Sequence, residues 1–214
     1  MKSRYFDKRF KAPVLGIDEV GLGSIAGPLH VCGVVLPSHD VVIKALEATG
    51  VRDSKKLSDS SRQRIYDFVK EHDIWHKVMS ASVTEINEYG SYSCVSILCR
   101  KIIAAAKEDA SVETVLIDGK NRKDVGFSHE GIVDGDQKSL AIATASVIAK
   151  VERDKLMTIM GNVFPQYEWA KNKGYATKRH VDALHVHGPT GQHRNKYEPV
   201  VTATESRESL LEGD

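Results

Sequence analysis

Val14-Leu15-Gly16-Ile17-Asp18-Glu19-Val20-Gly21-Leu22-Gly23 is an apolar run that ends in two adjacent carboxylates and passes at once into a glycine turn. Residues 14–18 have the pattern of a buried strand. Such a strand has no structural use for Asp-Glu at its end, because each desolvated charge costs several kcal/mol unless it is paired or bound to a metal. A divalent cation meets that need most simply, since hard cations take oxygen ligands. Adjacent strand residues face opposite ways, so Asp18 and Glu19 both ligate only if the strand ends or bulges there. Gly21 and Gly23 permit that.

Working outward, residues 29–36 form a second strand that Pro37 closes. Residues 41–49 predict a short helix ended by Gly50, and Ser58 or Asp59 caps another running to about Glu71. A strand over 74–83, a short helix near Glu85 and a helix over 92–107 follow, then a β-branched strand over 114–117 that ends in Asp118-Gly119. Residues 139–160 make a long helix rich in alanine, suited to close packing on a sheet, and residues 178–187 a further helix. This order predicts an α/β fold with a mixed sheet flanked by helices and a small helical C-terminal extension. Residues 1–170 are expected to form the main α/β domain, and 171–214 a helical segment with an acidic tail whose last ten or so residues are disordered.

The 214 residues suit one domain, and no apolar run approaches the ~20 residues of a membrane span. The basic start, Met1-Lys2-Ser3-Arg4, lacks an apolar stretch behind it, so no secretory signal is expected. Cys32, Cys94 and Cys99 have no metal-finger spacing and are expected to be reduced and buried, in keeping with a cytoplasmic protein. Net charge is only +1, but Lys171, Lys173, Lys178, Arg179, Arg194 and Lys196 crowd one late segment. Such a patch fits phosphate binding, although charge alone favours a solvated helix surface. His180, His185, His187 and His193 match no zinc spacing and are expected to pack or to face solvent. Arg153-Asp154 is expected to be a pair on a helix surface.

Two further acids occupy comparable places: Asp118, and Asp136 in Gly135-Asp136-Gln137-Lys138-Ser139, where it could cap the long helix. Taken singly, Asp-Gly is a turn and Asp before a helix is a cap. Four converging carboxylates would repel one another, and two metal ions about 4 Å apart would relieve this while serving phosphodiester hydrolysis. Lys55 and Lys138 are available to hold phosphates. A rival reading takes Gly21-Leu22-Gly23-Ser24-Ile25-Ala26 as the fingerprint of a dinucleotide-binding oxidoreductase. That fingerprint requires a helix after the turn, whereas Val31, Val34 and Val35 favour a strand.

With Asp53-Ser54-Lys55-Lys56-Leu57, Leu116-Ile117-Asp118-Gly119, Gly135-Asp136 with Lys138-Ser139, Ala145-Ser146, Arg153-Asp154, Asn172-Lys173-Gly174-Tyr175 and Gly188-Pro189-Thr190, the chain resembles the type 2 ribonucleases H, in particular the bacterial ribonuclease HII group, over roughly residues 13 to 199. The resemblance implies a ribonuclease H-like fold and endonucleolytic cleavage of RNA in RNA–DNA hybrids and at ribonucleotides embedded in duplex DNA, leaving 5′-phosphate and 3′-hydroxyl ends. It implies two Mg²⁺ or Mn²⁺ ions held by Asp18, Glu19, Asp118 and Asp136. Gly21 and Gly23 would read the ribose 2′-hydroxyl through backbone groups, Tyr175 would pack on the sugar, and Leu22, Lys55, Lys138 and Ser146 would bind substrate, with 1–170 the catalytic domain and 171–214 a substrate-contacting segment. A monomer is expected. Two positions depart from the family: Leu22 stands where arginine is usual, and Ala176 where glycine is common. The loss at position 22 gives the alternative of a hybrid-binding protein with impaired cleavage.

Overall fold

The computed structural model describes residues 6–10, 13–37, 40–51, 54–121 and 123–211. Residues 1–5 of the basic start, Asp53 of the second motif block and residues 212–214 of the acidic tail lie outside them. In chain order the elements are β1 (Val14–Val20), β2 (Leu29–Leu36), α1 (Asp40–Ala48), α2 (Asp59–Glu71), β3 (His76–Ala81), α3 (Val83–Tyr89), α4 (Ser91–Ala110) and β4 (Thr114–Asp118). Then come β5 (Glu130–Ile132), α5 (Gly135–Lys138), α6 (Leu140–Val163), α7 (Trp169–Asn172), α8 (Lys178–His187) and α9 (Glu198–Leu211). They form two compact units. The first takes in the chain up to Val20, from His30 to Ser80 and from Val95 to Val151; the second takes in Gly21–Leu29, Ala81–Cys94 and the chain from Glu152 onward.

The first unit carries a mixed sheet of order β3-β2-β1-β4-β5. β1 runs antiparallel to β2 through Val20↔His30 and parallel to β4 through Ile17↔Ile117, and β4 runs parallel to β5. All eight residues of β2 are buried, which explains its nearly unbroken apolar reading. Gly16 is set by close approach: a Cβ there would lie 2.4 Å from the backbone of Ala141 and Ile142. The start of α6 therefore lies directly on β1, with its alanines in the same core as Cys32, Val34 and Ile65. Cys32, Cys94 and Cys99 are free thiols and buried, as expected.

Three expectations are corrected. β1 does not end at Asp18 but pairs on with β2 to Val20; the ending expected at Asp18 occurs on the other edge alone, where the ladder with β4 stops at Ile17. Asp136 does not cap the long helix. That N-terminus is satisfied by the Ser139 hydroxyl, which accepts from Ile142 N, and by Asp7, whose carboxylate accepts from Leu140 N at 2.6 Å and Ser139 Oγ at 2.5 Å. A carboxylate at a helix start is favoured by the macrodipole, although burial pushes the Asp7 carboxyl above its usual value. Lastly, residues expected to be disordered form the end of α9, whose Val200 and Ala203 are buried.

The second unit has its own core of Ile25, Met157, Tyr167, Trp169, Leu184 and Val200. Much of the positive charge in its late segment is engaged internally. Lys171 and Arg179 meet Glu168, Lys178 meets Asp182, and Lys173 Nζ donates to Ala170 O and Thr158 Oγ1. Arg153 is no surface pair: it is fully buried, as is Arg194.

His180 and His193 are buried, whereas His185 and His187 are exposed. Thr190 N–H donates to His193 Nδ1 at 2.9 Å, so the His193 proton resides on Nε2, which donates to His180 Nε2 at 3.2 Å. Trp169 Nε1–H donates to that same His180 nitrogen at 2.9 Å, leaving His180 Nδ1–H for the Tyr175 carbonyl. Burial, then His180, pushes His193 down to about 4, below its ordinary 6.5. With the folded value depressed, the stability it contributes is present above pH 6.5 and is lost as pH falls from there toward 4. The loss is on the order of 3 kcal/mol over that window. Urea titrations of the wild type between pH 7 and 4.5 should show this fall, and a His193→Gln variant should show a markedly flatter pH dependence.

Candidate active site

Asp18 and Asp118 stand one step beyond the last paired residues of two parallel strands, Ile17 and Ile117, at the carboxyl ends where an open α/β sheet presents its ligands. Asp18 is buried, and its Oδ1 accepts from the N–H of Glu19 at 2.7 Å. Burial, then the charges of Glu19 and Asp118, push its carboxyl well above the ordinary carboxylate range, while a hydrogen bond from Ser146 opposes this. Three of the four expected acids thus stand near enough to feel one another's charge.

Asp136 follows by way of Gly135. Gly135 N–H donates to Asp118 Oδ1 at 2.7 Å, and a Cβ at residue 135 would crowd that oxygen at 2.9 Å. The turn after β5 therefore presses its glycine on Asp118 and holds Asp136, half-buried in the first turn of α5, one peptide away. Among the described residues no three Asp, Glu, His or Cys side chains are gathered into a ready-made cation cage. The donor chemistry nevertheless fits a hard divalent ion, because the cluster is made of carboxylates that repel one another around a buried member.

Ser146 is buried and lies 2.9 Å from the Ser54 hydroxyl, so a chain of hydroxyls links Asp18 to the Ser54–Lys56 turn. The buried Arg62 fixes that turn by donating to Ser54 O and Leu57 O, both at 2.6 Å. Lys55 and Lys138 are exposed, and Lys138 Nζ donates to Val133 O at 2.6 Å. The motif blocks contain Ser54 and Gly135 without assigning them a role, and Arg62 lies outside them. The roles of all three depend on contacts that no local pattern announces.

The substrate-reading candidates lie in the second unit. Gly21 has φ +86°, and a Cβ there would strike the Arg153 guanidinium, so only glycine fits. Gly23 is exposed and open, and Leu22 is half-buried. Tyr175 is 36% exposed, with its ring centroid 5.7 Å from the Arg153 guanidinium carbon. The glycine turn leads into β2 and not into a helix, so the dinucleotide fingerprint lacks the helix it requires.

The architecture is that of the ribonuclease H type. The ribonuclease H2 of Pyrococcus horikoshii OT3 superposes with a TM-score of 0.73 at 21% identity, covering 91% of this chain and 98% of that one. Bst-RNase HIII, solved in complex with Mn²⁺, gives 0.71 at 16% identity, covering 92% of this chain and 70% of the other. The sequence pattern of the ribonuclease HII family matches residues 15–200. Ribonuclease HII of Ehrlichia chaffeensis is 39% identical, covering 87% of this chain and 86% of its own, and that of the Wolbachia of Brugia malayi is 35% identical, covering 92% and 94%. The chain belongs to the ribonuclease HII family. It is a type 2 ribonuclease H, a nuclease of RNA–DNA hybrids in a metal-dependent family. Among the described residues no helix is long and apolar enough to cross a membrane.

Proposed function

We propose that this enzyme hydrolyses RNA in RNA–DNA hybrids and also cuts beside single ribonucleotides embedded in duplex DNA. Asp18, Glu19, Asp118 and Asp136 would hold two Mg²⁺ or Mn²⁺ ions. Bound there, the ions would lower the pKa of the attacking water and stabilise the departing 3′-oxygen. Water adds to phosphorus, the bond to the 3′-oxygen breaks, and the products carry a 5′-phosphate and a 3′-hydroxyl. Ser146 would keep Asp18 oriented, and Lys55 and Lys138 would meet flanking phosphates. Gly21 and Gly23 would read the 2′-hydroxyl, the group that separates RNA from DNA, while Tyr175 packs on the sugar. The late segment from residue 171 would supply part of that contact, and the protein would act in the cytoplasm as a monomer.

The observation that best supports this reading is the placing of Asp18 and Asp118 at neighbouring ends of two paired parallel strands, with the turn that carries Asp136 bonded to Asp118 through Gly135. Its test is a Mg²⁺-dependent assay on duplex DNA with one embedded ribonucleotide and on a long hybrid. Incision of both at the RNA is expected; no incision of either would reject the reading.

Leu22→Arg separates the full enzyme from a binder with impaired cleavage. The Leu22 carbonyl already accepts from Arg194 Nη1 and Tyr197 Oη, both at 3.0 Å, so the turn is held without a side chain at this position. The added guanidinium should act as one more phosphate contact, steepening the salt dependence of binding by about one unit with kcat little changed. A gain of about a hundredfold or more in kcat would instead favour the impaired-cleavage reading.

A further inference from the structure

Arg153 is fully buried, yet its guanidinium donates to four neutral oxygens that lie in two segments of the chain. Nε donates to Pro28 O at 2.9 Å, and Nη2 to Ser24 Oγ at 2.9 Å and Ala26 O at 3.2 Å. Nη1 donates to Lys173 O at 2.8 Å. The first three acceptors belong to the turn that begins at Gly21, and the fourth to the segment that ends at Tyr175. The guanidinium also underlies the Tyr175 ring and fills the space that a Cβ on Gly21 would need. The same two segments are joined by Ile25 N and Ala26 N donating to Gly174 O. A buried cation satisfied by carbonyls of two chain segments fixes their relative geometry, and arginine does so through a planar fork of five donors that lysine lacks.

We propose that Arg153 is a positioning residue for ribose recognition, tying the Gly21 turn to Tyr175 so that one sugar is read by both at once. This rests on the reading above, in which the turn senses the 2′-hydroxyl and Tyr175 packs on the sugar. It assigns the discrimination between ribose and deoxyribose to the buried clasp and not to the side chain at position 22. Arg194 reinforces the clasp from the other end of the turn, donating to Gly27 O at 3.0 Å and to Leu22 O.

The test measures the ratio of dissociation constants for an all-DNA duplex and the same duplex with one ribonucleotide, with Mg²⁺ present and Asp118→Asn as background to prevent cutting. kcat and KM on the ribonucleotide duplex are read in the otherwise wild-type chain. Arg153→Lys keeps the charge and loses the fork. It should lower the discrimination ratio by about tenfold and raise KM more than it lowers kcat. Ser24→Ala removes a single acceptor and should lower the ratio about two- to threefold; it serves if Arg153→Lys fails to fold. An all-DNA to ribonucleotide ratio unchanged in the variants, with the parent protein discriminating and cutting normally, overturns the proposal and leaves the proposed activity standing. A parent protein that neither discriminates nor cuts overturns both.

Discussion

Asp118→Asn is expected to lower Mg²⁺-dependent cleavage by about a thousandfold or more, with melting temperature unchanged or higher. The stability half follows from the site. Asparagine keeps an oxygen to accept from Gly135 N–H, so the turn into α5 stays in place. Removing the charge also relieves the repulsion felt by buried Asp18. A residue whose loss leaves the fold intact, or even firmer, while abolishing turnover is held for chemistry and not for architecture. Single-turnover cleavage together with thermal melting reads both halves. Wild-type cleavage by the variant would remove Asp118 from the reaction, and loss of activity with unfolding would make its role structural.

Gly16→Ala should be strongly destabilising. The new Cβ would sit 2.4 Å from the backbone of Ala141 and Ile142, where no side-chain rotation offers relief. β1 and the start of α6 must part, and overpacking of this kind costs about 3 kcal/mol. The displacement falls between the strand that carries Asp18 and the helix that carries Ser146, so activity should fall with stability. Chemical denaturation checks the first and the cleavage assay the second. A change in stability below about 0.5 kcal/mol would mean that α6 does not lie against β1 as described.

The sequence made the repetitive elements legible because their signals are local. Ser58 before α2, the apolar run of β2 and the polar helix over 178–187 each announce themselves within a few residues, and the structure places α8 at Lys178–His187. β5 and α5 escaped notice because three and four residues are too few to show a period. α9 escaped because its polar, acidic composition masks the burial of Val200 and Ala203 against the second core. The acids of the candidate site were legible as residue types at strand ends and, for Asp136, before a helix. The long-range contacts of each unit were not: Asp7 reaches Leu140 across most of the first unit's sequence, Ser54 reaches Ser146, and, in the second unit, Arg153 reaches back to Pro28. Arginine at residue 153 resembles a solvated helix residue until the backbone carbonyls that neutralise its burial are seen.

The clustering of the acids is the claim on which the chemistry rests, and direct location of bound Mn²⁺ tests it best. Crystals of the protein grown with Mn²⁺ and an uncleavable duplex carrying one ribonucleotide should show two anomalous peaks about 4 Å apart, each about 2.2 Å from carboxylate oxygens. Asp18, Glu19, Asp118 and Asp136 should all contribute ligands. Ions bound elsewhere, or any one of the four acids turned to solvent with both ions in place, would contradict the account.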